Sequence, residues 1–132
     1  MAIEKLGLLM SHPAAADLRL YQYRVVILSS TGTVNLPKTA VTAIPYGILQ
    51  NAPNTGEEAI VAPIGGGSIS KAEANNALAN GVIAALEWVS DSDSGKVKAA
   101  ATTQYPIGIV VFPSGAEDDL CSVLLTPLTV KV

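Results

Sequence analysis

Few side chains in this sequence are equipped for chemistry, and each lacks the company that chemistry requires. His12 is the single histidine and lies in a Pro- and Ala-rich turn. A metal-binding or acid–base histidine draws on partners that no second imidazole here supplies, which leaves His12 as a surface or interface residue. Cys121 is the single cysteine, set in Leu120-Cys121-Ser122-Val123-Leu124-Leu125. That setting reads as a small buried hydrophobe. A nucleophilic thiol needs a nearby cation or helix N-terminus to lower its pKa, and the neighbouring residues are acids, which raise it. Asp91-Ser92-Asp93-Ser94-Gly95 opens like a calcium loop, but its fifth position is Gly95 and its twelfth is Thr102. The loop requires an oxygen ligand at the former and a bidentate Glu at the latter, so a solvated turn is expected. Gly65-Gly66-Gly67 is followed by no Gly-Lys-Ser/Thr, and Ser68 lies in no Gly-x-Ser-x-Gly elbow. The acidic groups Glu57-Glu58 and Glu117-Asp118-Asp119 read as turn charges rather than as carboxylates across a cleft. No metal, cofactor or enzymatic activity is expected.

Composition points toward burial in an assembly. Apolar residues make up 49% of the 132 positions and charged residues only 14%, against about 25% charged in an average soluble domain. The surface must therefore be largely Ala, Ser, Thr, Asn and Gly. Mean hydropathy is +0.40, yet no apolar run approaches the ~18 residues of a membrane span. The net charge is −3 and the basic residues are scattered singly, so the patch that neutralises nucleic-acid phosphates is missing. The N-terminus carries neither a basic n-region nor a long apolar core. With one cysteine there is no internal disulfide. The protein is expected to stay in the compartment where it is made.

The positioning elements show themselves as an echo. PYGILQNAPNTGEEAIVAP (45–63) and PIGIVVFPSGAEDDLCSVLLTP (106–127) share the order Pro, one residue, Gly-Ile, an apolar stretch, Pro, a Gly turn, acids, an apolar strand and Pro. Gly47 and Gly108 are 61 positions apart, and Pro53 and Pro113 are 60 apart. RVVILSSTGTVNL (24–36) similarly resembles IAALEWVSDSDSGKVKA (83–99). The reading is one domain with an internal duplication, 24–63 and 83–127. Two copies are too few for an open solenoid, which needs about three or more.

Residues 1–20 read as an N-terminal arm and 21–132 as a single β domain. Leu6, Leu8, Leu9 and Met10 are apolar without a clean period, so they are expected, with His12, to meet a partner. Short β-branched runs separated by Gly and Pro turns predict eight or nine strands in a small barrel or sandwich. One segment is ambiguous. SKAEANNALAN (70–80) has helical composition, with Ser70 as a possible N-cap and Glu73 three residues on, but an extended reading competes with it.

Several strings together suggest a family. Ala15-Ala16-Asp17-Leu18, Gln22-Tyr23, Gly47-Ile48-Leu49-Gln50-Asn51, Pro53, Gly56-Glu57, Val61 and Val123-Leu124 fall in the order seen in the small head decoration, or capsid cement, proteins of tailed bacteriophages. The chain resembles that group over nearly its whole length, although AEANNALANGVIAAL is richer in Ala and Asn than the usual segment. The resemblance implies a structural virion protein, made in the host cytoplasm, that binds the major capsid protein on the outer surface of the head. It also implies stabilisation of the shell and a homotrimer. Two alternatives stand beside it: a tail-tube or head-completion subunit, and a carbohydrate- or host-surface adhesion module. An adhesin favours exposed aromatic residues, whereas Trp88 and Phe112 sit in apolar runs that read as core.

Overall fold

The computed structural model describes residues 2–37, 44–86, 94–100 and 105–127. The chain is all-β. Among the described residues ten strands follow one another: β1 (Met10–Pro13), β2 (Val25–Leu28), β3 (Val34–Asn35), β4 (Gly47–Leu49), β5 (Glu58–Pro63), β6 (Ile69–Glu73), β7 (Ile83–Leu86), β8 (Val97–Ala99), β9 (Pro106–Phe112) and β10 (Leu120–Leu125). The first five form one antiparallel sheet in the order β1-β5-β4-β2-β3, and the last five form another in the order β6-β10-β9-β7-β8. Adding five to each label of the first sheet reproduces the second. The repeating unit therefore runs from Met10 to Pro63 and from Ile69 to Leu125, longer than the 24–63 and 83–127 expected from the echo.

Hydrogen bonds fix the correspondence residue by residue. Gly47 pairs with Val26 and Pro63, and Gly108 pairs with Ala84 and Leu125. The Tyr23 N–H donates to the Leu49 carbonyl at 2.8 Å, as the Gly81 N–H does to Val110 at 2.8 Å. The Gly56 N–H reaches the Ala14 carbonyl at 2.9 Å, and the Asp118 N–H reaches Ala74 at 2.8 Å. Both position pairs adopt left-handed backbone, with φ of 69° and 82° at Tyr23 and Gly81 and of 80° and 67° at Gly56 and Asp118. The turn geometry is retained although only one member of each pair is the glycine that adopts it without strain. Pro53 and Pro113 are offset by one. The Pro53 carbonyl accepts from the Leu18 N–H at 2.9 Å, and its counterpart is Ser114, which accepts from Leu78 at 3.3 Å.

Two further expectations change. Ile69–Glu73 is a strand, not the start of a helix over 70–80, and no helix occurs among the described residues. Ser70 and Ala72 are buried while Ile69, Lys71 and Glu73 are only partly so, a period of two that suits a strand. Helical composition yields here to a place beside β10. The segment 1–20 is also more than an arm. Met10–Pro13 pairs with β5, and Ala14 and Leu18 are buried core residues. The arm proper is residues 2–9.

The core has two parts. Within the N-terminal half, Leu18, Val26, Val34, Leu49 and Val61 cluster with Ala14, Leu36 and Ala59. The larger cluster joins Leu78, Leu86, Val97, Ile107, Val110, Val123 and Leu125 of the C-terminal half to Val25, Ile48 and Ala62 of the first. Alternation along the strands explains the division: Val26 and Leu49 face their own half, while Val25 and Ile48 face the other. Each fully buried Val, Leu or Ile contributes roughly 1.5–3 kcal/mol.

A candidate interaction surface

The arm is tied to its own chain by backbone groups and leaves its large apolar side chains exposed. Lys5 and Ile69 exchange two N–H···O=C bonds of 2.8 Å, which extends the second sheet past the edge of β6. Ser122 Oγ accepts from the Ile3 N–H at 2.6 Å and donates to the Ile3 carbonyl at 2.7 Å. The Gly7 N–H donates to Ser68 Oγ at 2.9 Å and the Leu8 N–H to the Gly66 carbonyl at 3.0 Å. Pairing of the arm also shields the β6 edge, which would otherwise present unpaired backbone groups. Ile3, Leu6, Leu8, Leu9 and Met10 nonetheless remain exposed. Five large apolar side chains within eight residues are thus each 38% exposed or more.

His12 behaves differently from the four arm-region residues predicted with it. It lies in β1 opposite Ala59, half-buried, with Nε2 hydrogen-bonded to the Tyr46 hydroxyl at 2.8 Å and the two rings edge to face at 5.3 Å. Burial raises the Tyr46 pKa. The pair closes part of the open side of the N-terminal half. Beside it, Ser11 Oγ donates to Glu58 Oε2.

Two residues missed in the sequence add to the apolar surface. Phe112 is 37% exposed at the end of β9, not a core residue, while Trp88 lies outside the described residues. Leu28 is also exposed, on the face of β2 that carries Val26. No spacing rule separates these positions from core residues, because their exposure depends on which sheet packs over them.

A buried charge cluster sits at the seam between the halves. Arg24 is 7% exposed and Lys96 is 4% exposed. The Arg24 Nε donates to Glu73 Oε2 at 3.2 Å, and its Nη1 donates to the Ser94 carbonyl at 3.2 Å. Lys96 Nζ lies 2.5 Å from Asp118 Oδ1, 3.8 Å from Glu117 and 4.0 Å from Glu73. The Arg24 guanidinium also stacks over Tyr21 at 4.9 Å. The acids read in the sequence as plain turn charges thus include two, Glu117 and Asp118, that neutralise a buried lysine. The Asp91–Asp93 part of the calcium-like loop lies outside the described residues, while Ser94 and Gly95 serve the seam.

The hydrogen bond from Lys96 holds the Asp118 carboxyl below its ordinary 3.8, and the Arg19 guanidinium lowers Asp17 to about 2. A carboxyl whose pKa is depressed on folding stabilises the native state above its unfolded pKa and loses that contribution as pH falls through the folded value. The exposed Asp17–Arg19 pair is screened by solvent and adds little. The Lys96–Asp118 contact therefore carries the effect, and the urea midpoint is expected to fall modestly as pH drops below the ordinary carboxyl value of 3.8. Asp118→Asn should flatten part of that decline. A variant curve parallel to wild type throughout this range would refute the assignment.

Cys121 is buried, and burial pushes its thiol up to about 11. The neighbouring acids are not the cause. A thiol so rarely ionised is a poor nucleophile. Among the described residues no cluster of His, Cys, Asp and Glu could hold a metal ion, and no helix is long and apolar enough to cross a membrane. No family model, no curated protein and no solved structure matches this chain.

Proposed function

We propose that this chain is a structural, non-enzymatic virion protein that decorates the outer surface of a bacteriophage head and stabilises it. The observation that carries the reading is the arm: exposed Ile3, Leu6, Leu8 and Leu9 presented on a backbone already anchored to the domain. The family resemblance supplies the shell and the major capsid protein as partner. Physical chemistry supplies the mode of attachment. An anchored strip loses less conformational entropy on binding than a disordered one, and burial of its apolar surface yields about 25 cal/mol per Å². Trimerisation, an expectation of the resemblance, belongs to the same proposal.

The test uses expanded, undecorated heads. Wild-type protein should bind to saturation at fixed stoichiometry and stay bound in 1 M salt, where the Debye length is about 3 Å and exposed ion pairs are screened. Removing residues 1–9, just short of β1, should leave a folded domain and weaken binding at least tenfold. Truncation at residue 12, by contrast, strips β5 of part of its partner strand. Undiminished binding by the 1–9 deletion would reject the arm. Release by salt would reject apolar attachment. Rings or stacks formed without heads, with no head binding, would favour a tail-tube subunit.

A further inference from the structure

The repeat has one asymmetry that points to self-association. In the first sheet, register aligns Ala62, Ile48 and Val25 in a row across β5, β4 and β2. In the second it aligns Leu124, Ile109 and Ile83 at the equivalent positions across β10, β9 and β7. The first row is fully buried because it seals the open side of the C-terminal half, where it joins Leu86 and Ile107 in one cluster. The second row is apolar and bulkier, but only half-buried.

The open side of the N-terminal half shows the matching deficit. Leu28 occupies the position of Leu86: each stands opposite a buried valine, Val34 or Val97. Leu86 is 3% exposed and Leu28 is 43% exposed. Tyr46 precedes Gly47 as Ile107 precedes Gly108, and it is partly exposed where Ile107 is buried. Met10, opposite Val61 on the same side, is exposed too. The polar ends of Tyr46 and His12 satisfy each other, so this side presents mostly apolar surface.

We propose that the Ile83–Ile109–Leu124 face of one copy docks on the Leu28–Tyr46–Met10 side of a second copy, repeating between chains the contact that joins the two halves within a chain. The occupant follows from the repeat: one surface is the equivalent of a face already buried in this fold, and the other is the equivalent of the side that buries it. Such a contact joins unlike surfaces and is head-to-tail, so it closes into a ring or continues as a filament. The argument stands on the internal repeat and does not rest on the capsid reading.

The test is sedimentation of the full chain in the absence of heads. Wild type should self-associate, and Ile109→Lys and Leu28→Lys should each sediment as monomers. Mixed one to one, the two variants should form a species of two chains and nothing larger, because each retains the surface that the other has lost. That complementation also shows both to be folded. A variant whose far-ultraviolet spectrum departs from wild type is replaced by Ile109→Gln or Leu28→Gln, with the same outcomes expected. A monomeric wild type, variants that stay associated, or a mixture that remains monomeric would each overturn the proposal. Head binding is measured separately through the arm, so the two readings fail independently.

Discussion

Glu73→Ala is expected to lower stability by about 3 kcal/mol, the lower end of the range for breaking a buried ion pair. Glu73 closes β6 and stands between two cations, with the Arg24 guanidinium at 3.2 Å and Lys96 Nζ at 4.0 Å. Both cations are nearly fully buried. Without the carboxylate, two positive groups remain close together at the seam, away from the water that would solvate them. Asp118 and Glu117 still serve Lys96, and the Ser94 carbonyl and the Tyr21 ring still serve Arg24, which holds the loss to the lower end. Combining Glu73→Ala with Arg24→Met should restore part of the stability, since a buried pair exchanged for apolar groups is often neutral. The exposed Asp17–Arg19 pair provides the contrast, and Asp17→Ala should leave the urea midpoint at neutral pH nearly unchanged. Equal losses from Glu73→Ala and Asp17→Ala would contradict this account of the seam.

Legibility of this fold follows from what each position asks of its residue. The echo around Gly47 and Gly108 is visible because both sites exclude a side chain, and the 24–36 resemblance to 83–99 is visible because both runs supply β2–β3 or β7–β8 with a glycine turn. The first strand of each unit is not visible. MSHP and ISKAE have no residues in common at matching positions, because β1 packs beside a half-open side while β6 is covered by the other half. The left-handed turns are hidden where tyrosine replaces glycine at 23 and aspartate replaces it at 118. On the candidate surface, the apolar arm is readable from composition. The Leu124–Ile109–Ile83 row is not, since three residues from three separate segments meet only through strand register. The charge cluster escapes for the same reason: Arg24, Glu73, Lys96 and Asp118 are scattered in sequence and converge where the two halves join.

Gly108→Ala should destabilise the protein by roughly 3 kcal/mol or more, at or beyond the top of the usual range for overpacking, and lower Tm by about 10 °C. A Cβ at Gly108 would lie 2.0 Å from the Leu124 carbonyl oxygen and 2.8 Å from its carbon. At Gly47 it would lie 2.3 Å from the Ala62 oxygen and 2.8 Å from the Ala62 carbon. Both obstacles are the backbone of a paired strand, so no rotamer change relieves them, and the strands must separate. The obstructing strands β5 and β10 hold equivalent interior places in their sheets, so Gly108 is the more damaging site because its obstacle is closer, 2.0 Å against 2.3 Å. Gly56 separates this cause from backbone conformation. Its φ is +80° and a Cβ there would meet no atom within 4 Å, so alanine incurs only the left-handed penalty of about 1–2 kcal/mol. The expected order of Tm loss is therefore Gly108→Ala, then Gly47→Ala, then Gly56→Ala. Thermal unfolding of the three variants decides it, and a Gly56→Ala loss equal to that of Gly108→Ala would show that close strand approach is not what these glycines provide.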